Sequence, residues 1–560
     1  MRRSLASITA GVVTGVVILG SAWATVGLMP VEDQTPSIKV DPELARQVEA
    51  AQAAENGAQL PGGLFKVGAA KASIAPKPLS EGGPWMRDGV DGECAGPAQV
   101  YLPAGQDPRC LRTFDSTGTG TFATGVDSAY GMGAWIRATT ISNGKDTVVF
   151  AVGDLIGYFA GYPESICADC GIAAITADLE QELGIPAKNM VLSSTHVHSS
   201  VDTVMATPSW YFEMVRDAFK DAIRGAYASA QLATIEVGTT PAKAFNVDRR
   251  IVTRAIPEYE VAWWRAVAVE PEDPSKPAIA HMVNFSVHPT ITASNTELHS
   301  GLVGHLAQRL EGEWGGTTLF TPAGLGDQTV NRGFGRDGMG YGLADAVMAS
   351  QQATGHTLGS NDIVAEQRIV QVPVDNTTMI AGAYGGIFSR DRTIPGMFAG
   401  GPATSVNQRG GANFPSCVGA SPISLYTPVG GIRIGTPGAL KQRAADGSWA
   451  VPPGDQGDAL VIMSDPGEAF ASIAATTKDY LSRARAVMLI GLANDTIGYI
   501  IPSEQFDNRS SNPSGLAQPS ANFANYEESL SSGRCTGDQI QNTLLEIGAA
   551  LGVMGDGEGR

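Results

Sequence analysis

Seven histidines occur in the chain, and three of them, His196, His198 and His288, stand at the ends of apolar runs rich in β-branched residues. Neutral imidazoles gathered with a carboxylate suit zinc and leave coordination positions open for water or substrate. Glu468, in Asp465-Pro466-Gly467-Glu468, could supply the carboxylate. A zinc ion so held would polarise a carbonyl and acidify a water, which is the chemistry of hydrolysis. Each residue also has a plainer role. His-x-His on a strand puts two imidazoles on one face, but serves structure as readily as chemistry. His288, before Pro289, ends a strand whether or not it binds an ion. Glu468 reads as the opening residue of a helix, where capping or solvation explains it. A strand tyrosine such as Tyr499 is ordinarily core, and Arg249, after Asp248, is ordinarily one half of a solvated pair.

The elements that must position these residues are legible from periodicity. Residues 147–154 (TVVFAVGD) predict a buried strand, 171–184 an amphipathic helix, and 189–198 (NMVLSSTHVH) a second strand. That order is a βαβ unit with parallel strands, and function gathers at the strands' C-terminal ends. Residues 278–289 predict a third strand that delivers His288. Residues 459–470, 472–485 and 486–501 predict strand, helix and strand, a second βαβ-like unit. Between the units, residues 386–457 are dense in Gly and Pro and read as long loops around the core or a pocket.

Four segments together resemble the neutral ceramidases. STHVHS resembles that family's GTHTHSG, VNFSVHPT its WFAVHPT, DPGEAF its PGEF-type segment, and LANDTIGYIIPSEQF its ANxYxxYVTTxEEY. They occur in the family's order over residues 64–530. The resemblance implies zinc ligands at His196, His288, Glu468 and Tyr499. It places His198 beside the metal as a proton-handling group. Asn246-Val247-Asp248-Arg249 resembles the family's NxNR stretch, which makes Arg249 a substrate contact. His198, Arg249 and Tyr499 are then the catalytic set, with Tyr499 counted in both roles.

The resemblance also implies an α/β fold of mixed sheets with βαβ units forming a zinc amidohydrolase core. The activity it implies is cleavage of the N-acyl amide of ceramide, or of a related N-acylated lipid, to fatty acid and amine by metal-activated water. Three departures stand against it. Ala323 occupies the position of the family's serine in an S-N-x-G-D/N segment, so a serine nucleophile is not available there. Thr496 replaces the first tyrosine of the fourth segment. The chain ends at Arg560, without the β-sandwich domain that follows the catalytic domain in the family. Alternatives therefore stay open: a zinc hydrolase of another amide or ester on the same scaffold, or a metal- or lipid-binding envelope protein without turnover.

The rest of the chain sets the context. With 560 residues, 43% hydrophobic and 17% charged, it is long enough for a large core. A net charge of -18, with no basic run beyond the first residues, excludes nucleic acid as the natural partner. Arg2 and Arg3 precede an uncharged apolar stretch over residues 4–31 with Ala22-Trp23-Ala24 as a small-x-small cleavage site, so residues 1–31 read as a signal peptide or membrane anchor. Residues 32–63 follow as a helical spacer, and residues 64–560 form the catalytic domain. An exported enzyme meets lipids, and association with a membrane surface fits that setting. Export also makes the six cysteines readable as disulfides, with Cys94–Cys110 and the local pair Cys167–Cys170 the natural pairings.

Overall fold

The computed structural model describes residues 58–94, 107–113, 121–127, 133–204, 207–250, 258–291, 296–374, 376, 399–400, 423–439, 442–443, 449–450, 457–506 and 526–555. The expected export segment, most of the spacer helix, Cys417 and much of residues 386–457 lie outside these ranges. No helix among the described residues is long and apolar enough to cross a membrane.

Eight strands build the larger sheet: β1 (Phe65–Ser73), β2 (Trp135–Ser142), β3 (Thr147–Gly153), β4 (Met190–Ser194), β5 (Gln231–Pro241), β6 (Glu260–Ala268), β7 (Ala278–Phe285) and β8 (Thr317–Pro322). They lie in the order β8-β7-β6-β5-β1-β2-β3-β4, and the short strand His356–Thr357 adds to β5. The two end pairs, β3 with β4 and β7 with β8, are parallel, and the others are antiparallel. The first crossover is the expected one: helix α1 (Ile172–Leu183) joins β3 to β4. Its buried Ile172, Ile175, Thr176 and Leu179 follow helical spacing, and it stops at Gly184, whose φ of 70° a glycine adopts at little cost.

A second sheet contains β9 (Ile363–Pro373), β10 (Ile423–Thr436), β11 (Asp458–Ser464) and β12 (Ala486–Ile490) in that order. β11 and β12 are parallel, as expected for the second crossover, with helix α5 (Ala471–Tyr480) between them. Strand β10 corrects the reading of residues 386–457 as loop. Pro428, Gly430 and Gly431 argue against a strand in isolation, yet all three pair with β9 across an unbroken register from Ile363↔Ile434 to Pro373↔Ser424. Tertiary pairing on both sides overrides the local signal.

Period-two alternation explains why the two sheets stack. Val148, Phe150 and Val152 of β3 join Ile432, Leu460, Ile462, Met488 and Ile490 of the second sheet in one core. Val149 and Ala151 point the other way, against α1 and α2 (Ser209–Ala228). Helices α3 (Gly301–Trp314) and α4 (Gly335–Thr354) cover the β6–β8 half of that outer face. On the second sheet, Val461, Met463, Val487 and Leu489 face α5 and α6 (Thr536–Ala550). The architecture is helix, sheet, sheet, helix. Disulfides Cys94–Cys110 and Cys167–Cys170 form as expected.

Candidate metal centre

The histidines do not sit on the strands that were expected to carry them. β4 ends at Ser194 and β7 at Phe285, so His196, His198 and His288 occupy the turns beyond. After Ser194 the chain follows the end of β3: Thr195 N–H donates to Gly153 O at 2.8 Å and His196 N–H to Leu155 O at 2.9 Å. His196 has a φ of 61°, a left-handed conformation that costs about 1 kcal/mol or more and persists only where surroundings impose it. Here the constraint is a ring nitrogen, His196 Nδ1, 2.5 Å from Ile156 O. The i,i+2 argument for a shared face thus fails in its premise, yet the rings converge, with centroids 5.0 Å apart.

Glu468 also sits differently from its expected place at a helix start. Glu468–Ala469 is a two-residue strand parallel to Tyr499–Ile500, with Glu468 directly opposite Tyr499. α5 begins only at Ala471, where Asp327 Oδ1 accepts the Ala471 N–H at 2.8 Å. The LANDTIGY segment is tied to the far sheet edge: Asn494 Oδ1 accepts from Leu192 N–H at 2.9 Å and Asn494 N–H donates to Leu192 O at 2.7 Å. An asparagine thereby continues the β4 ladder and carries Tyr499 toward Glu468. Gly326 packs against this pair, since a Cβ there would lie 2.4 Å from Glu468 O.

Three buried acceptors meet at the centre. His196 Nε2 lies 3.0 Å from His288 Nε2, 3.4 Å from Glu468 Oε2, and His288 Nε2 lies 3.7 Å from the same oxygen. His196 Nδ1 faces the carbonyl of Ile156, and His288 Nδ1 faces that of Leu325 at 3.2 Å. Each Nδ1 therefore carries the proton, which leaves a lone pair on each Nε2. Two lone pairs and a carboxylate oxygen pointed at one another are mutually repulsive without a cation between them. Zinc with ligands at about 2.0–2.1 Å separates them by roughly 3.3 Å in a tetrahedron, which the three edges match. His196, His198 and His288 also offer ligand nitrogens all within 4.8 Å of one another. Of the two sets, the one with Glu468 supplies the negative charge.

Burial pushes the His198 imidazole well below its ordinary value, with His196 and the Arg249 cation adding to it, so the ring is neutral. Burial works against the charged form of Glu468, while the Tyr499 hydroxyl and Arg249 favour it. Arg249 Nη2 donates to Gly326 O at 2.6 Å and to Tyr499 Oη at 2.9 Å. All six predicted residues, His196, His198, His288, Glu468, Tyr499 and Arg249, thus come together around one point.

The sequence reading missed the groups behind them. Asp154, fully buried, accepts from Arg137 Nη1 at 2.8 Å and from Trp135 N–H at 3.1 Å, and it opens the turn whose Leu155 and Ile156 carbonyls hold His196. Glu527, from a distant segment, lies 3.3 Å from Arg249 Nε. An aspartate closing an apolar strand was the one available signal for Asp154.

Asp327 carries a stability prediction. Burial raises its carboxyl to about 6. A folded-state value above the unfolded one means the native state binds the extra proton, so stability falls as pH rises from about 4 to 6. Asp327→Asn keeps the acceptor for Ala471 and removes the buried charge. It is expected to add on the order of 2 kcal/mol above pH 7 and nothing at pH 4, read by urea unfolding at both pH values.

No protein-family model matches this chain, and no curated protein matches it. Solved structures do, two ceramidase structures among them. One is the crystal structure of neutral ceramidase from Pseudomonas aeruginosa, with a TM-score of 0.54 and 14% identity, covering 87% of this chain and 74% of that one. The fold is similar to that of a neutral ceramidase. The other, a ceramidase complexed with C2, gives the same TM-score and identity over 87% of this chain and 75% of its own. At such identity the likeness concerns the fold.

Proposed function

We propose that the protein is a zinc-dependent amidohydrolase that cleaves the N-acyl amide of ceramide or a related N-acylated lipid to fatty acid and amine. The observation that carries this is the convergence of His196 Nε2, His288 Nε2 and Glu468 Oε2 within 3.0 to 3.7 Å of one another. These three residues, with Tyr499 beside Glu468, would hold the ion. Bound there, zinc supplies Lewis acidity toward a water and an amide carbonyl. The likeness to two ceramidase structures supports the substrate class, as does the complex of one of them with C2. Export of the chain through its N-terminal segment belongs to the same reading.

His198, kept neutral, takes the proton of the attacking water and delivers it to the departing amine nitrogen. Arg249 and the Tyr499 hydroxyl, 2.9 Å apart, offer donors to the oxyanion as charge develops. Ala323 is buried and presents only a methyl group, so no serine nucleophile stands at that position, and this reading takes water as the nucleophile. His198→Gln is expected to keep the metal while kcat falls by about 10²- to 10⁴-fold, measured by fatty-acid release beside zinc content.

Ala323 and Thr496 favour a second reading, a non-ceramide amide or ester as substrate. Thr496 Oγ1 is engaged with Tyr158, accepting its N–H at 3.1 Å, and so does not reproduce a tyrosine hydroxyl. A panel of ceramides, N-acyl amino acids and simple amides separates the two. Turnover of ceramide supports the first reading, turnover of only the others supports the second, and no turnover by the zinc-loaded protein contradicts both.

A further inference from the structure

Arg249 is held from two sides. In front, its Nη2 meets Gly326 O and Tyr499 Oη. Behind, Glu527 Oε1 lies 3.3 Å from its Nε, with the Glu527 side chain fully buried and 19% of the Arg249 side chain exposed. The neighbouring Arg250 has its own partner, since its Nη2 lies 2.6 Å from Glu528 Oε1, with Glu527 Oε2 farther away at 3.7 Å from Nη1. The segment that brings Glu527 here also supports Tyr499, whose N–H donates to Leu530 O at 3.1 Å and which bridges Ser531 in parallel. One stretch of chain thus fixes both groups that flank Glu468.

We infer that Glu527 is a positioning residue that fixes Arg249 against Tyr499 and offsets its charge, so that a carboxylate product is not retained. The inference rests on the amidohydrolase reading. Water adds to the acyl carbon, the C–N bond breaks, and RCO–NHR′ becomes RCOO⁻ and R′NH₃⁺. The substrate is neutral at the reacting centre, whereas the acid product is an anion formed beside a guanidinium. Guanidinium–carboxylate pairs are charge-assisted and commonly bidentate, so an Arg249 without its counter-ion would hold the product and slow its release. Burial raises the Glu527 carboxyl to about 7 against the pull of Arg249 and Arg250, so above that pH a buried carboxylate 3.3 Å away weakens that attraction while leaving the N–H donors aimed at Tyr499.

The test uses the zinc-loaded full chain, at about pH 8.5 where Glu527 is charged, and octanoate as the product probe. Glu527→Gln keeps shape and removes charge. It is expected to bind octanoate about tenfold tighter by calorimetry, the scale of one hydrogen bond to a charged group, and to show lower kcat with tighter product inhibition for an N-octanoyl substrate. Glu527→Asp keeps the charge and should bind octanoate as weakly as the parent. Unchanged octanoate affinity in Glu527→Gln overturns the inference, as does equally tight binding by Glu527→Asp or by the Glu527→Gln/Arg249→Gln pair. The calorimetric result decides the role of Glu527 even if the parent hydrolyses nothing, an outcome that would sink the enzymatic reading separately.

Discussion

Replacing His196 with alanine is expected to strip the centre of its ion and to lower amide hydrolysis by about 10³-fold or more, beyond the loss from a single oxyanion donor. His196 is the residue common to the short edges of the acceptor triangle, 3.0 Å to His288 and 3.4 Å to Glu468. Without it His288, Glu468 and Tyr499 remain, and the site loses one of its two imidazoles and both short edges of the triangle. Zinc content after gel filtration, measured with activity on the same samples, checks this. The contrast with His198→Gln is the informative part: one variant should lose metal and activity together, the other activity alone. A His196→Ala protein with full zinc and full activity would refute the assignment.

Asp154→Ala is expected to destabilise the fold by about 3–5 kcal/mol, the usual consequence of leaving one half of a buried ion pair unpartnered. Arg137 and Asp154 have 5% and 0% of their side chains exposed, so the remaining guanidinium has little access to solvent. The pair also shapes the turn that carries Leu155 O and Ile156 O, the two acceptors of His196. Loss of global stability should therefore come with weaker zinc binding. Urea unfolding of the zinc-loaded and chelated protein separates the two, because a ligand adds stability according to its affinity for the folded state. Stability within about 1 kcal/mol of the parent would show that the pair is not structural.

His196, His198, His288 and Glu468 were legible in the sequence because each closes an apolar strand or follows one, and strands of this kind are read from alternation, whereas Tyr499 and Arg249 were legible only through the family resemblance. Both crossovers, β3-α1-β4 and β11-α5-β12, were readable for the same reason. What failed was the geometry at strand ends. The sequence carries no sign that β4 stops two residues before His196, because that depends on Gly153 and Leu155 accepting the next backbone N–H groups. Nor does it show that Glu468 would pair with Tyr499, since a two-residue bridge has no periodicity. β10 was hidden by Pro428, Gly430 and Gly431, whose place in the strand is set by partners far along the chain. Glu527 was hidden by distance alone: its meeting with Arg249 depends on how a late segment folds back beside Tyr499. Stacking of the two sheets likewise depends on both faces of each strand being apolar, which marks burial without naming what covers it.

Diffraction data from zinc-soaked crystals, collected on both sides of the zinc absorption edge, test the central claim most directly. The account predicts one anomalous peak among His196, His288 and Glu468, about 2.0–2.2 Å from His196 Nε2, His288 Nε2 and Glu468 Oε2. A peak elsewhere, or none at full zinc occupancy of the protein in solution, would contradict it.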